Sequence, residues 1–197
     1  MINPERLNNM QKNTVRIIGG EWRSRKLPVP DVNGLRPTPD RVRETLFNWL
    51  APVIAGARCL DLFAGSGVLG FEALSRGASY AMLIDNAADV IKTLQEQKIK
   101  LNAQQADIYQ AKIPEQLPSA KQSFDIVFLD PPYQLNLVMP CCHYLEEHEF
   151  LADNAYIYLE DKQIIKDNDL PSNWKIIKSN QAGQVFYHLA LREREKK

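Results

Sequence analysis

The stretch Asp61-Leu62-Phe63-Ala64-Gly65-Ser66-Gly67-Val68-Leu69-Gly70 leaves an apolar strand and enters a helix, and its reading decides the fold. Gly65 and Gly67 let the backbone turn tightly and approach a ligand with no side chain in the way, while the helix N-terminus presents free amide donors. A polar or anionic ligand is expected there. The spacing satisfies Gly-x-Gly-x-x-Gly, so these residues alone also fit a nicotinamide or flavin Rossmann site, or a purely structural glycine turn.

On either side of this stretch, short apolar runs alternate with amphipathic ones. Arg58 to Phe63, Tyr80 to Asp85, Ile108 to Ala111, Phe124 to Asp130 and Ala155 to Glu160 read as strands, and Val68 to Arg76 and Ala87 to Leu101 as helices. Strand, helix, strand in series predicts an α/β fold with a parallel sheet covered on both faces. Trp174 to Ser179 and Gln184 to Leu191 are strand-like and joined by a short turn at Ala182-Gly183, which permits only an antiparallel pair. Arg192 to Lys197 reads as a frayed charged end. Asp85, at the end of the second strand, is placed to accept hydrogen bonds from ribose hydroxyls; its alternative role is to cap the helix ahead of Ala87.

Upstream, Val15 to Gly19 and Lys26 to Val29 read as a β-hairpin standing apart from the larger core. Lys12, Arg16, Arg23, Arg25 and Lys26 face one acid there, Glu21, with Trp22 among them. Such a basic, aromatic-bearing segment suits nucleic acid, although a solvated hairpin has the same charges. In Leu35-Arg36-Pro37-Thr38-Pro39-Asp40, Thr38 is a plausible N-cap with Pro39 at the first helical position, and a helix from about Pro39 to Ala51 follows.

The 197 residues suffice for one sizeable core plus a small appendage, and the 24 basic and 24 acidic side chains cancel. Zero net charge alone argues against a nucleic-acid binder, so charge distribution must carry that reading. No apolar stretch approaches the roughly 18 residues of a membrane span, and Met1 to Gln11 lacks an apolar signal core, so a cytoplasmic protein is expected. Cys59, Cys141 and Cys142 have neither the number nor the spacing of a disulfide framework or a zinc site, and reduced core thiols are expected.

The second decisive motif is Asp130-Pro131-Pro132-Tyr133, at the end of the apolar strand Phe124 to Leu129. Two prolines remove backbone donors and stiffen the loop, leaving the Asp130 carboxylate and the Pro131 carbonyl as acceptors. Such a site calls for an external N–H donor. An exocyclic amino group offers two, and Tyr133 can stack on the base that carries it. Acceptors on its hydrogens localise the nitrogen lone pair for attack on a methyl sulfonium, a step governed by proximity and alignment. A proline turn with an aspartate cap and a core tyrosine is the competing structural reading.

In these motifs the chain resembles the RsmD family of bacterial 16S ribosomal RNA guanine-N2 methyltransferases, of the class I S-adenosylmethionine-dependent fold. The resemblance rests on Arg16-Ile17-Ile18-Gly19-Gly20 with Trp22 and Arg23, on the run Gly34 to Leu50, on Asp61 to Gly70, on Asp130 to Tyr133 and on Ala182-Gly183-Gln184-Val185. It implies a Rossmann-like, seven-stranded, mostly parallel sheet with its last strand antiparallel, forming a methyltransferase domain over 35–197 after an RNA-binding hairpin extension over 1–34. It implies methylation of the guanine conventionally numbered 966 by a monomer acting on the assembling small subunit. Cofactor contacts are implied for Thr38, Arg41, Asp61, Phe63, Ala64, Gly65, Ser66, Gly67, Asp85, Asn86, Gln110 and Asp130. Asp130, Pro131, Pro132 and Tyr133 hold the target, and Arg16, Trp22, Arg23, Arg25 and Lys26 bind RNA; no metal is implied. The chain departs from the pattern where Asn86 and Ala87 follow Asp85 in place of a second acid, and where Gln110 stands as the polar residue near the adenine.

Three other activities compete with this reading. An adenine-N6 methyltransferase uses the same acceptor chemistry, a nucleotide-binding RNA chaperone needs the fold without turnover, and a dehydrogenase needs only the glycine motif.

Overall fold

The structure, a computed structural model, describes residues 14–32, 37–119 and 122–193. A small antiparallel hairpin, β1 (Thr14–Arg16) and β2 (Lys26–Pro28), precedes helix α1 (Asp40–Leu50). There follow β3 (Arg58–Asp61), α2 (Val68–Ser75), β4 (Tyr80–Asp85), α3 (Ala88–Leu101), β5 (Ala106–Gln110), β6 (Phe124–Leu129), α4 (Val138–Glu147), β7 (Leu151–Asp161), β8 (Trp174–Ala182) and β9 (Val185–Arg192). The large sheet has the order β5-β4-β3-β6-β7-β9-β8. Its first five strands are parallel and β9 runs antiparallel to both neighbours.

The strand sequences explain this layering. Cys59, Ala81, Leu83, Ile126 and Phe128 point to one face, where they join Leu46, Phe47 and Leu50 of α1, Phe71 and Leu74 of α2, and Val90 and Leu94 of α3. The intervening Leu60, Met82, Ile84, Val127 and Leu129 point to the other and pack with Val138, Cys141, Cys142 and Leu145 of α4. A strand buried on both faces has no polar alternation, which is why the central strands read as continuous apolar runs. All three cysteines are free and buried in this core.

Several expectations need correction. The hairpin is not separate from the core: Val15, Ile17, Trp22 and Leu27 are buried in the same apolar cluster as α1 and α2. Gly20 makes this docking possible, because its φ is +76° and a Cβ there would lie 1.8 Å from the Ser75 carbonyl oxygen. Thr38 is not the cap of α1; Pro39 occupies that position and no side chain caps the helix. Helix α4 was missed because Pro140 and the paired cysteines blur its periodicity; Pro140 falls in the first turn, where a missing N–H costs little. Nor is Arg192 part of a frayed end. It closes β9 with two bonds to Glu146, at 2.8 and 2.9 Å, and a third to the Ala152 carbonyl. The rest of that tail, 194–197, lies outside the described residues, as do Lys12 and the motif residues Gly34, Leu35 and Arg36. Among the described residues no helix is long and apolar enough to cross a membrane.

Candidate active site

In the sheet order, β3 sits between β4 and β6, and the chain leaves it in one direction and returns on the other side. Loops beyond the carboxyl ends of the strands separate at such a reversal and leave a crevice. Both decisive motifs lie there, the glycine loop after β3 and the proline loop after β6.

Gly65 and Gly67 adopt positive φ, 50° and 74°, and a Cβ on Gly67 would come within 2.5 Å of Leu94. The third glycine has a different purpose: a Cβ on Gly70 would meet Leu83 of β4 at 2.8 Å, so it sets how closely α2 lies on the sheet. Asp61, at the end of β3, is 3% exposed and accepts the Gly70 amide at 3.0 Å. Burial pushes its carboxyl up to about 7, against that hydrogen bond and with a contribution from Asp85. Asp85 accepts the Gly65 amide on one oxygen and the Ala87 amide on the other, each at 3.0 Å. It therefore makes the local turn ahead of the helix, although Ala87 and not Asp85 is the N-cap and no side chain caps the helix, and it still has lone pairs free to accept from hydroxyls.

Gln110 ends β5 in register with Asp85, and its side-chain amide donates to the Asn86 carbonyl at 3.0 Å. Asn86 and Gln110 are exposed on this rim, Phe63 is half-buried, and Ala64 and Ser66 are buried in the loop itself. Thr38 is buried, while Arg41 is exposed on the first turn of α1. The residues present suit a nucleoside that carries a positive charge. A cradle closed to side chains lies between an acid able to hold a diol and a set of carboxylates at the neighbouring strand ends.

The acceptor loop is built as the prolines require. Asp130 makes one side-chain hydrogen bond among the described residues, a long one of 3.4 Å from the Thr38 hydroxyl. Burial raises its carboxyl well above the usual range, Glu160 and Asp61 add to the shift, and Thr38 opposes it. The residue as a whole is half-buried. Pro131 is buried and Pro132 exposed, and Tyr133 starts a short 3₁₀ turn, Tyr133–Leu135.

The sequence reading missed the partner of Tyr133. Glu160, 6% exposed near the end of β7, accepts the Tyr133 hydroxyl on one oxygen and the Tyr158 hydroxyl on the other, both at 2.6 Å. The Leu129–Leu159 register places Asp130 and Glu160 side by side on adjacent strands. An acid closing an apolar strand was the available signal. Glu160 fixes the Tyr133 ring, and the Lys162 ammonium lies 5.4 Å from the ring centroid.

On the hairpin, Arg16, Arg23, Arg25 and Lys26 are exposed, but Trp22 is not with them. Its side chain is 5% exposed in the core and its amide is held by the Ser75 hydroxyl at 2.8 Å, so it offers no face to RNA. A cavity of about 330 Å³ between the hairpin and the start of α1 is lined by Arg16, Lys26, Thr38 and Asp40, among others.

The model of the family described as "Conserved hypothetical protein 95" matches residues 15–191. The chain is 47% identical over 186 residues to "Ribosomal RNA small subunit methyltransferase D" of Escherichia coli K12, covering 94% of each chain. It is 46% identical to the protein of the same name from Haemophilus influenzae, over 90% of this chain and 94% of the relative. Among solved structures it is similar to a putative methyltransferase, yhhF, from Escherichia coli: TM-score 0.84 and 46% identity over 93% of this chain and 100% of that one.

Proposed function

This chain belongs to the RsmD family of ribosomal RNA small subunit methyltransferases, and from that premise we propose that it methylates the exocyclic N2 amine of guanine 966 in 16S ribosomal RNA with S-adenosylmethionine. One observation carries the chemistry: Asp130, raised in pKa and almost without donors, sits beside a glycine cradle at the sheet's reversal point. A carboxylate in that setting needs hydrogens from outside, and the two on an exocyclic amine supply them.

Gly65, Ser66 and Gly67 hold the methionine part, Asp85 the ribose, and Asn86 and Gln110 border the base; Thr38 and Arg41 lie over the crevice. Bound there, the cofactor supplies an electrophilic methyl on a sulfonium, whose positive charge Asp61, Asp130 and Glu160 favour. The chain's part is then alignment. Asp130 and the Pro131 carbonyl accept the amine hydrogens and localise the nitrogen lone pair toward the methyl group, and Tyr133, held by Glu160, stacks on the base. An amine that gains a carbon must shed a proton, and Asp130, with its raised pKa, would be suited to take it. Arg16, Arg23, Arg25 and Lys26 contact RNA phosphates. The protein works as a cytoplasmic monomer on the small subunit during assembly.

The test is incubation with labelled cofactor and undermethylated small subunits, free ribosomal RNA or DNA, followed by identification of the modified nucleoside. N2-methylguanine is expected. N6-methyladenine alone would replace the substrate assignment with the rival one, and no transfer to any nucleic acid would reject both. Asp130→Ala is expected to abolish transfer while the fold persists.

A further inference from the structure

Arg43 is fully buried, yet the proposed chemistry makes no use of it. Its Nε donates to the Thr38 carbonyl at 3.1 Å, Nη1 to Glu72 at 2.8 Å and Nη2 to Asp40 at 2.6 Å. Glu72, also fully buried, accepts on the same oxygen the Ile18 amide of the hairpin at 3.1 Å, and on its other oxygen two bonds from Arg76. Asp40 takes the exposed Arg16 of the hairpin on its second oxygen at 2.8 Å. Two polar routes therefore run from the hairpin to Arg43, one through Glu72 and one through Asp40. From Arg43 a single route continues through Thr38 to Asp130. Glu72 also belongs to α2, the helix that follows the glycine loop.

A buried ion pair is a weak device for stability, since apolar side chains of the same volume often serve as well. Its advantage is directional: the planar guanidinium fixes three acceptors in one geometry, the Thr38 carbonyl and Asp40 at the entry to α1 and Glu72 on α2, a fixed fork that an ammonium lacks. Here one of the three is the backbone of the residue whose hydroxyl points at Asp130. That last bond is long at 3.4 Å, as catalytic hydrogen bonds often are before substrate arrives.

We propose that Arg43 is a positioning residue that couples RNA engagement on the hairpin to the placement of Thr38 against Asp130. The proposal rests on the reading of Asp130 as the amine acceptor. RNA phosphate that draws on Arg16 loosens its hold on Asp40, Asp40 then bears more fully on Arg43, and the guanidinium sets the Thr38 segment. Arg43 touches neither base nor cofactor and acts only through Thr38.

Arg43→Lys keeps the charge and removes the fork, Thr38→Val removes only the hydroxyl, and the two together form a double-mutant cycle. Each single variant is expected to lower kcat about tenfold or more while KM for RNA stays within about threefold, and in Arg43→Lys the dissociation constant for S-adenosylhomocysteine also stays within about threefold. The double variant is expected to be no slower than the slower single one. Independent, multiplying losses, or an Arg43→Lys protein that loses melting temperature but keeps kcat, would overturn the coupling. If Arg43→Lys does not fold, Asp40→Asn, at a partly exposed position, takes its place in the cycle with the same expectations. If the wild-type protein transfers no methyl group to RNA, the proposed function fails on its own. Hydrogen exchange then tests the coupling: Arg43→Lys or Asp40→Asn should speed exchange at the backbone amide of position 43, which the Pro39 carbonyl next to Thr38 holds at 3.1 Å, and unchanged exchange rejects it.

Discussion

Replacing Asp61 by asparagine should stabilise the protein at alkaline pH and destabilise it in acid. In the fold the Asp61 carboxyl has a pKa of about 7 against an ordinary 3.8, because it is buried and near Asp85. The native state therefore holds this proton more tightly than the unfolded chain does, and stability must fall as pH rises from about 4 to about 7. Raising the carboxyl from 3.8 to about 7 corresponds to about 4 kcal/mol lost across that window. Asparagine keeps an oxygen for the Gly70 amide and carries no charge, so it escapes this loss. It also introduces a buried amide N–H₂ group that must find partners, at a pH-independent cost of about 1–3 kcal/mol. The variant should thus be the weaker protein at pH 4 and the stronger by about 1–3 kcal/mol at pH 8, about 2–12 °C in melting temperature for a chain of this size. Urea titrations at half-unit steps of pH, with equal m-values, measure the difference; the titration of Asp130 is common to both proteins and cancels to first order. Stability curves that run parallel from pH 4 to pH 8 would refute the argument. Affinity for S-adenosylhomocysteine should fall in the same variant, so stability gained at this strand end is lost to binding.

Gly20→Ala should cost at least about 3 kcal/mol by undocking the hairpin, since three bonds to Ser75 go with the clash, and amide exchange at Ile17 and Trp22 reports it. Charge reversal at Arg23, Arg25 and Lys26 should weaken RNA binding and flatten its salt dependence by roughly 0.7 per lost phosphate contact, with cofactor affinity unchanged; equal loss of both affinities would mark the hairpin as structural. Glu160→Ala should lower stability by about 1–3 kcal/mol in chemical denaturation, because the buried Tyr158 hydroxyl loses its acceptor.

What the sequence disclosed follows from which interactions are local. The glycine loop, the proline loop and the central strands were legible because each depends on backbone conformation or on burial of a continuous run. Thr38 was misread as a helix cap because its partner, Asp130, is 92 positions away and no local rule points to it. Trp22 was misassigned because an aromatic residue among arginines suits an RNA platform and a core anchor equally, and only the packing against α2 decides. Glu72 and Arg43 were invisible for the same reason, and the signal at Glu160 was easy to pass over: a charged side chain is presumed exposed until its partners are known. Helix α4 failed on composition, since proline and paired cysteines break the pattern that Val138, Cys141, Cys142 and Leu145 otherwise make.

The shared anchorage of two phenols on one carboxylate limits how the catalytic pocket can choose between purines. A hydroxyl that has already given its proton away has nothing to offer the carbonyl that distinguishes guanine from adenine. Any reading of that carbonyl must come from a donor elsewhere on the rim, and exchanging that tyrosine for phenylalanine should loosen the stacked ring without changing which base is preferred.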